Sequence, residues 1–402
     1  MTKHLLLGSL GVAFAAILAA CSPDGASSQS NATTTSSTTT TTETTTAANA
    51  TAAAPGPINI YAHTGAGDLS PAVAGALERI YVPNIASNDV YVIDPKTDKV
   101  VDHYPVGANP QHVVPSWDLK TLWVTGSAGH GGKPGSLTSI DPTTGKVTRS
   151  LPVDDAYNMY FTPDGSSAIV VAEELKTLEF RNPQTMEQTG ELKVPGCPGL
   201  NHADYSPDGS YAIFTCEFSG GLAKIDIKNR KVVGYLKLQN GGMPQDIRSS
   251  PSGDVFYVAN MMTDGVHLID GNSFTEVGFV PTGVGAHGIY PSRDGKSLYI
   301  ANRGSHMVAG LPKGPGSISV LDFATRKVTQ TWPIPDGGSP DMGNVSADGS
   351  KLWLAGRFDN EVYDIDTATG HVTKIKVGHT PHGVAVWPQP GSYSLGHTGV
   401  MR

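Results

Sequence analysis

From about residue 77 onward, short apolar runs alternate with turn formers. Runs such as Tyr257-Val258-Ala259-Asn260 and Tyr299-Ile300-Ala301-Asn302 are rich in β-branched and aromatic residues and are bounded by Gly, Pro, Asp or Asn, which predicts short strands. Two elements recur. An Asp or Asn closes a β-branched run at Val92-Ile93-Asp94, Ser139-Ile140-Asp141, Phe180-Arg181-Asn182, Lys224-Ile225-Asp226, Leu268-Ile269-Asp270, Val320-Leu321-Asp322 and Asp364-Ile365-Asp366. Between these, an apolar strand meets a turn at Asp164-Gly165, Asp208-Gly209, Ser252-Gly253, Asp294-Gly295 and Asp348-Gly349, with Trp117-Asp118 and Trp387-Pro388 as degenerate copies.

Aligning the turns makes residues 111, 157, 201, 245, 287, 341 and 382 equivalent, at spacings of 46, 44, 44, 42, 54 and 41. That period is one four-stranded propeller blade. The prediction is an all-β, seven-bladed β-propeller over residues 58–402. The unit from His382 supplies one strand and Leu77–Gly107 supplies three. The last blade is therefore expected to be closed by both termini, which leaves no open sheet edge.

Composition agrees: 47 Gly and 29 Pro in 402 residues, with 16% charged, suit turns rather than salt-bridged helices. A net charge of −8 gives nucleic acid no attraction, and a monomer is expected. Three cysteines exclude a thiolate-rich zinc site.

The first 57 residues differ. Residues 1–20 read as a secretory signal, with Lys3 followed by an apolar run from Leu5 to Ala20. Leu18-Ala19-Ala20-Cys21 resembles a bacterial lipobox, so Cys21 is expected to be lipidated and to anchor an exported protein to the membrane or cell envelope. Residues 21–57, rich in Thr, Ala and Ser, lack the apolar surface to fold and read as a disordered tether.

Tyr257-Val258-Ala259-Asn260, Tyr299-Ile300-Ala301-Asn302 and Pro381-His382-Gly383-Val384-Ala385-Val386 resemble the YVTN-repeat, YncE-like bacterial propellers, over Leu77 to Pro388. The resemblance implies the fold. Relatives and superfamily neighbours include surface-layer-like proteins, lactonases, DNA-binding propellers, and the propeller domains of haem nitrite and copper nitrous oxide reductases, and fold alone does not choose among them.

Candidate chemistry gathers where the innermost strands begin. The aligned pairs there are Gln111-His112, Tyr157-Asn158, Asn201-His202, Gln245-Asp246, His287-Gly288, Asp341-Met342 and His382-Gly383, with Glu173, Glu217, Arg303 and Arg357 expected on the same face. The candidate ligand or metal set at this mouth is His112, Glu173, His202, Glu217, Asp246, His287, Asp341 and His382. Imidazoles with carboxylates suit Zn, Cu or Fe. The same groups suit a lactonase-like acid–base site in which Arg303 or Arg357 stabilises an oxyanion, and they equally serve to solvate a water-filled channel. The leading expectation is a scaffold binding a protein, glycan or small molecule through this face.

Two long loops, Ser127–Ser136 and Arg303–Ser317, bring His130 and His306 toward the mouth. Cys197 and Cys216 flank one blade's first two strands, and an exported compartment favours their disulfide over a free or copper-binding thiol pair. His63-Thr64-Gly65 and His397-Thr398-Gly399 repeat a tripeptide. The segments carrying them are expected to meet at the opposite face as a structural seal.

Overall fold

The computed structural model describes residues 58–127 and 134–402. The signal, Cys21, the tether and His130 lie outside these residues. Seven antiparallel four-stranded sheets form the blades. Blade 1 has strands Pro110–Pro115, Leu122–Gly126, Ser136–Asp141 and Lys146–Pro152, and each later blade repeats this order. The innermost strands of blades 2 to 6 are Ala156–Phe161, Leu200–Tyr205, Pro244–Ser249, Ala286–Pro291 and Pro340–Val345. Blade 7 joins Ala385–Trp387 to Arg79–Asn84, Asp89–Asp94 and Lys99–Pro105, so the last blade is closed by both termini.

The repeated residues explain the repeated shape. In the inner turns Asp164, Asp208, Asp294 and Asp348 each accept a hydrogen bond from the hydroxyl two residues earlier, at 2.5–2.7 Å. The following glycines, such as Gly209 at φ 68°, take a left-handed conformation that costs other residues steric strain. In the outer turns Asp141, Asp270 and Asp322 accept backbone N–H groups. Apolar side chains interlock between blades: Tyr160 and Phe180 of blade 2 pack with Tyr205 and Phe214 of blade 3, and equivalent clusters lie between other blades. The fourth strands alternate exposed and half-buried residues.

Residues 391–402 leave the blades and enter the channel from the face opposite the mouth. The Phe161 N–H donates to the Leu395 carbonyl (2.9 Å) and the His397 N–H to that of Met159 (2.8 Å). On the far side the Thr398 hydroxyl donates to the Gly343 carbonyl (2.9 Å). Arg402 pairs with buried Asp204 at 2.7 Å. Residues 58–76 pack nearby, with the Tyr61 hydroxyl on the Ser249 carbonyl (2.6 Å) and the Gly391 N–H on the Asp68 carbonyl (3.0 Å).

Candidate functional site

Every innermost strand carries one extra residue at the aligned pair. In blade 1 Pro110 faces Gly126 but His112 faces Thr125; in blade 3 Leu200 faces Cys216 but Ala203 faces Phe214. Blades 2, 4, 5 and 6 repeat the slip. Such bulges re-aim side chains, and here they split five of the pairs between two levels. Gln111, Tyr157, Gln245, His287 and His382, the first of their pairs, line a cavity of about 280 Å³ at the mouth. His112, Asn158, His202 and Asp246, the second, are wholly buried beneath it. Thr125 and Thr215 hold the bulges by accepting the N–H groups of His112 (3.2 Å) and His202 (3.0 Å).

The mouth cavity has an acidic and a basic side. On the acidic side Glu217 accepts from Asn201 (2.7 Å) and Gln245 (2.9 Å), and Glu173 lines the same cavity. Burial raises both carboxyls. At Glu173 the neighbouring Glu217 charge adds to the rise, whereas Gln245, Arg303 and Asn201 oppose it at Glu217. Within the pair the rise is therefore the greater at Glu173. Glu217 is set in place by the Cys197–Cys216 disulfide beside it and by its own N–H on the Gly199 carbonyl (2.8 Å).

On the basic side Arg303 and Arg357 converge on buried Asp341, at 2.5 and 3.5 Å. His287 and His382 approach the same carboxylate at 2.9 and 2.8 Å. Burial would raise the Asp341 carboxyl, but Arg303 and the two imidazoles outweigh it and hold it well below its usual range. Burial, helped by Arg303, pushes His287 down to about 4, and His382 falls likewise through burial and Arg357. Arg303 Nε and Arg357 Nη1, the latter 3.5 Å from Asp341, are buried and make no hydrogen bond among the described residues, so the charge of the two guanidiniums is only partly engaged.

In the lower level His112, His202 and His397 gather around one point, with one ring nitrogen of each within 4.8 Å of the others. Ring centroids lie 4.4–5.2 Å apart. Asp246 adjoins them, 3.8 Å from His202 and 3.4 Å from His397, and is paired with Arg248 at 2.6 Å. Burial holds all three imidazoles neutral; His112 is pushed down to about 4.

The structure divides the expected single ring. Glu173, Glu217, His287, His382, Arg303 and Arg357 line the mouth, with Asp341 buried behind the arginines, while His112, His202 and Asp246 lie below, because the bulge separates neighbours in sequence. His306 does not reach the cavity; it pairs with Asp264 at 2.7 Å, partly exposed. Its neighbours act instead, the Met307 and Val308 carbonyls accepting from Arg303 and Arg357 at 3.1 Å. His397 is the residue that repeat alignment misses. The segment expected only to seal carries a buried imidazole, whereas His63 of the matching tripeptide stays exposed. The available signal was a histidine among glycines that take positive φ, Gly396 (108°) and Gly399 (115°).

Fold and site together define a seven-bladed propeller whose plugged channel opens into one polar mouth. The model of the YNCE-like beta-propeller family matches residues 306–390, the last two blades' worth of the chain. Among solved structures the chain is similar to the Pseudomonas aeruginosa periplasmic gluconolactonase PpgL (17% identity, TM-score 0.63, covering 78% of this chain and 99% of that one). It is also similar to a putative 6-phosphogluconolactonase from Bacteroides fragilis (18%, 0.61, 78% and 98%) and to Kuenenia stuttgartiensis hydrazine synthase (18%, 0.56, 77% and 94%). At these identities the likeness is one of fold. No curated protein matches the sequence.

Proposed function

We propose that this propeller binds a small hydroxylated carboxylate, of the sugar-acid class, in the mouth cavity. The observation that carries this is the two-sided lining: the guanidinium groups of Arg357 and Arg303 face the cavity as positive charge for an anion, opposite a Glu173–Glu217 pair that accepts from or donates to hydroxyls. The cavity suits a small organic molecule rather than a polymer. Isothermal titration of the full chain with gluconate tests this. Binding is expected, weakened at least about ten-fold by Arg357→Gln, as for loss of a charged hydrogen bond; no heat, or no effect of the variant, overturns it.

A second reading, lactone hydrolysis, is favoured by the raised Glu173 carboxyl beside Glu217 at the cavity wall. Water would add to the lactone carbonyl, with Glu217 taking its proton. Arg357 would stabilise the oxyanion, and Glu173 would protonate the ring oxygen as the C–O bond breaks. Gluconolactonase neighbours make glucono-lactone the probe. Under this reading Glu173→Gln loses hydrolysis, followed by pH-stat, by about 100-fold or more while gluconate still binds; hydrolysis at the wild-type rate removes Glu173 from the chemistry.

A further inference from the structure

We propose that His112, His202 and His397 form a three-imidazole site for a copper or zinc ion beneath the mouth cavity. The three side chains are fully buried. His112 Nε2, His202 Nδ1 and His397 Nε2 have no hydrogen-bond partner among the described residues. A buried polar atom left unpaired is costly; Asp246 Oδ1, 3.8 Å from His202 Nδ1 and 3.4 Å from His397 Nε2, hydrogen-bonds neither, so three such atoms in one cluster of neutral rings call for a shared partner. Neutral imidazole is the ligand form for zinc and copper.

The outer contacts fit this use. His112 Nδ1 donates to the Tyr157 carbonyl at 3.0 Å, which fixes the proton there and leaves the Nε2 lone pair free, the usual arrangement of a metal-bound histidine. His202 Nε2 faces the Tyr157 hydroxyl at 3.4 Å, leaving Nδ1 for the ion. Asp246 supplies negative charge beside the cluster, but its oxygens are engaged by Arg248 and by the N–H groups of Ile247 and Ile289. It therefore acts as an outer neighbour. His382, whose ring centroid is 4.8 Å from that of His112, lines the mouth and marks the entry path. Bonds of about 2.0 Å require nitrogens roughly 3.4 Å apart, so binding draws the rings together.

One contact makes the assignment specific. The Asn158 amide donates to His397 Nδ1 at 3.0 Å while its oxygen accepts the Met159 N–H at 2.8 Å. The proton of neutral His397 therefore sits on Nε2. Metal binding moves it to Nδ1 and requires the amide to present its oxygen instead. An aspartate at 158 has an oxygen for both partners, and Asp204 and Asp246 already bond the following N–H in this way in their own strands.

The test uses the full chain, dialysed after addition of zinc or copper salt, with metal content, competition titration and X-ray absorption as readouts. The expected result is about one equivalent bound through nitrogen donors, retained in His382→Gln and lost in His397→Ala and His112→Ala, whose melting curves show whether they fold. Asn158→Asp is expected to tighten binding about ten-fold, a gain that no folding defect can mimic. Retention below about a tenth of an equivalent, or equal retention by a folded His397→Ala, overturns the site. Unchanged or weaker binding by Asn158→Asp removes His397 as a ligand. Gluconate binding at the mouth is scored separately, so neither result stands in for the other.

Discussion

A chain ending at Pro390 is expected to melt roughly 10 °C below the full protein. The missing segment buries Leu395, Val400 and Met401, worth about 2 kcal/mol each as transfer from water, and a kcal/mol moves a domain of this size by a few degrees at most. Its backbone is hydrogen-bonded to blade 2, and its Thr398 hydroxyl and carbonyl to blade 6, so it ties together walls on opposite sides of the channel. Its loss also leaves Asp204 buried without Arg402, a charge left uncompensated. Calorimetry of the two forms checks this; equal melting temperatures would mean that the segment fills the channel without holding it.

Acidification below about pH 6.5 is expected to destabilise the protein through its channel imidazoles. Burial depresses His112, His202, His287, His382 and His397 below the ordinary 6.5, two of them to about 4. Below pH 6.5 the unfolded chain takes up protons that the folded chain refuses, so stability rises with pH across this window and falls as pH drops. His112 and His287 each account for about 3 kcal/mol by pH 4. Asp341, held low by Arg303 and its imidazole neighbours, adds a loss of the same sign only below 3.8. Melting temperature measured from pH 7.5 to 4.5 should fall, most steeply below about pH 6.5, with the five imidazoles outweighing the opposite contribution of the raised Asp155, Glu173 and Glu217 carboxyls and a net uptake of protons on unfolding. A flat profile would mean that the channel imidazoles are protonated in the fold.

The propeller was legible because its signals are local and repeated. Each Asp-Gly turn and each Ile-Asp corner encodes its own backbone geometry, and seven copies fix the period. The members of the mouth were legible for the same reason: alignment superimposed Gln245 on His287 and Glu173 on Glu217. Their division into levels was not, since a bulge changes which way a side chain points without changing the spacing of the repeat. Asp341 shows the second limit. Its alignment with Gln111 is correct, yet of its surroundings, two guanidiniums and two imidazoles, all but Arg357 come from the two neighbouring blades. His397 lay beyond reach altogether, because it belongs to no repeat and its position is set by the backbone bonds of a segment crossing the channel.

The repeated bulge gives the channel a two-storey plan addressed by adjacent letters of the sequence. In five of the seven blades one residue speaks to whatever enters from outside, and the next speaks only to the interior. Exchanging neighbours such as Gln111 and His112 would carry an imidazole from cellar to doorway with no change in strand pairing beyond the bulge. The scaffold can thus revise what it binds at the mouth and what it holds within as separate decisions, blade by blade, while the turns and inter-blade cores that keep it folded remain untouched.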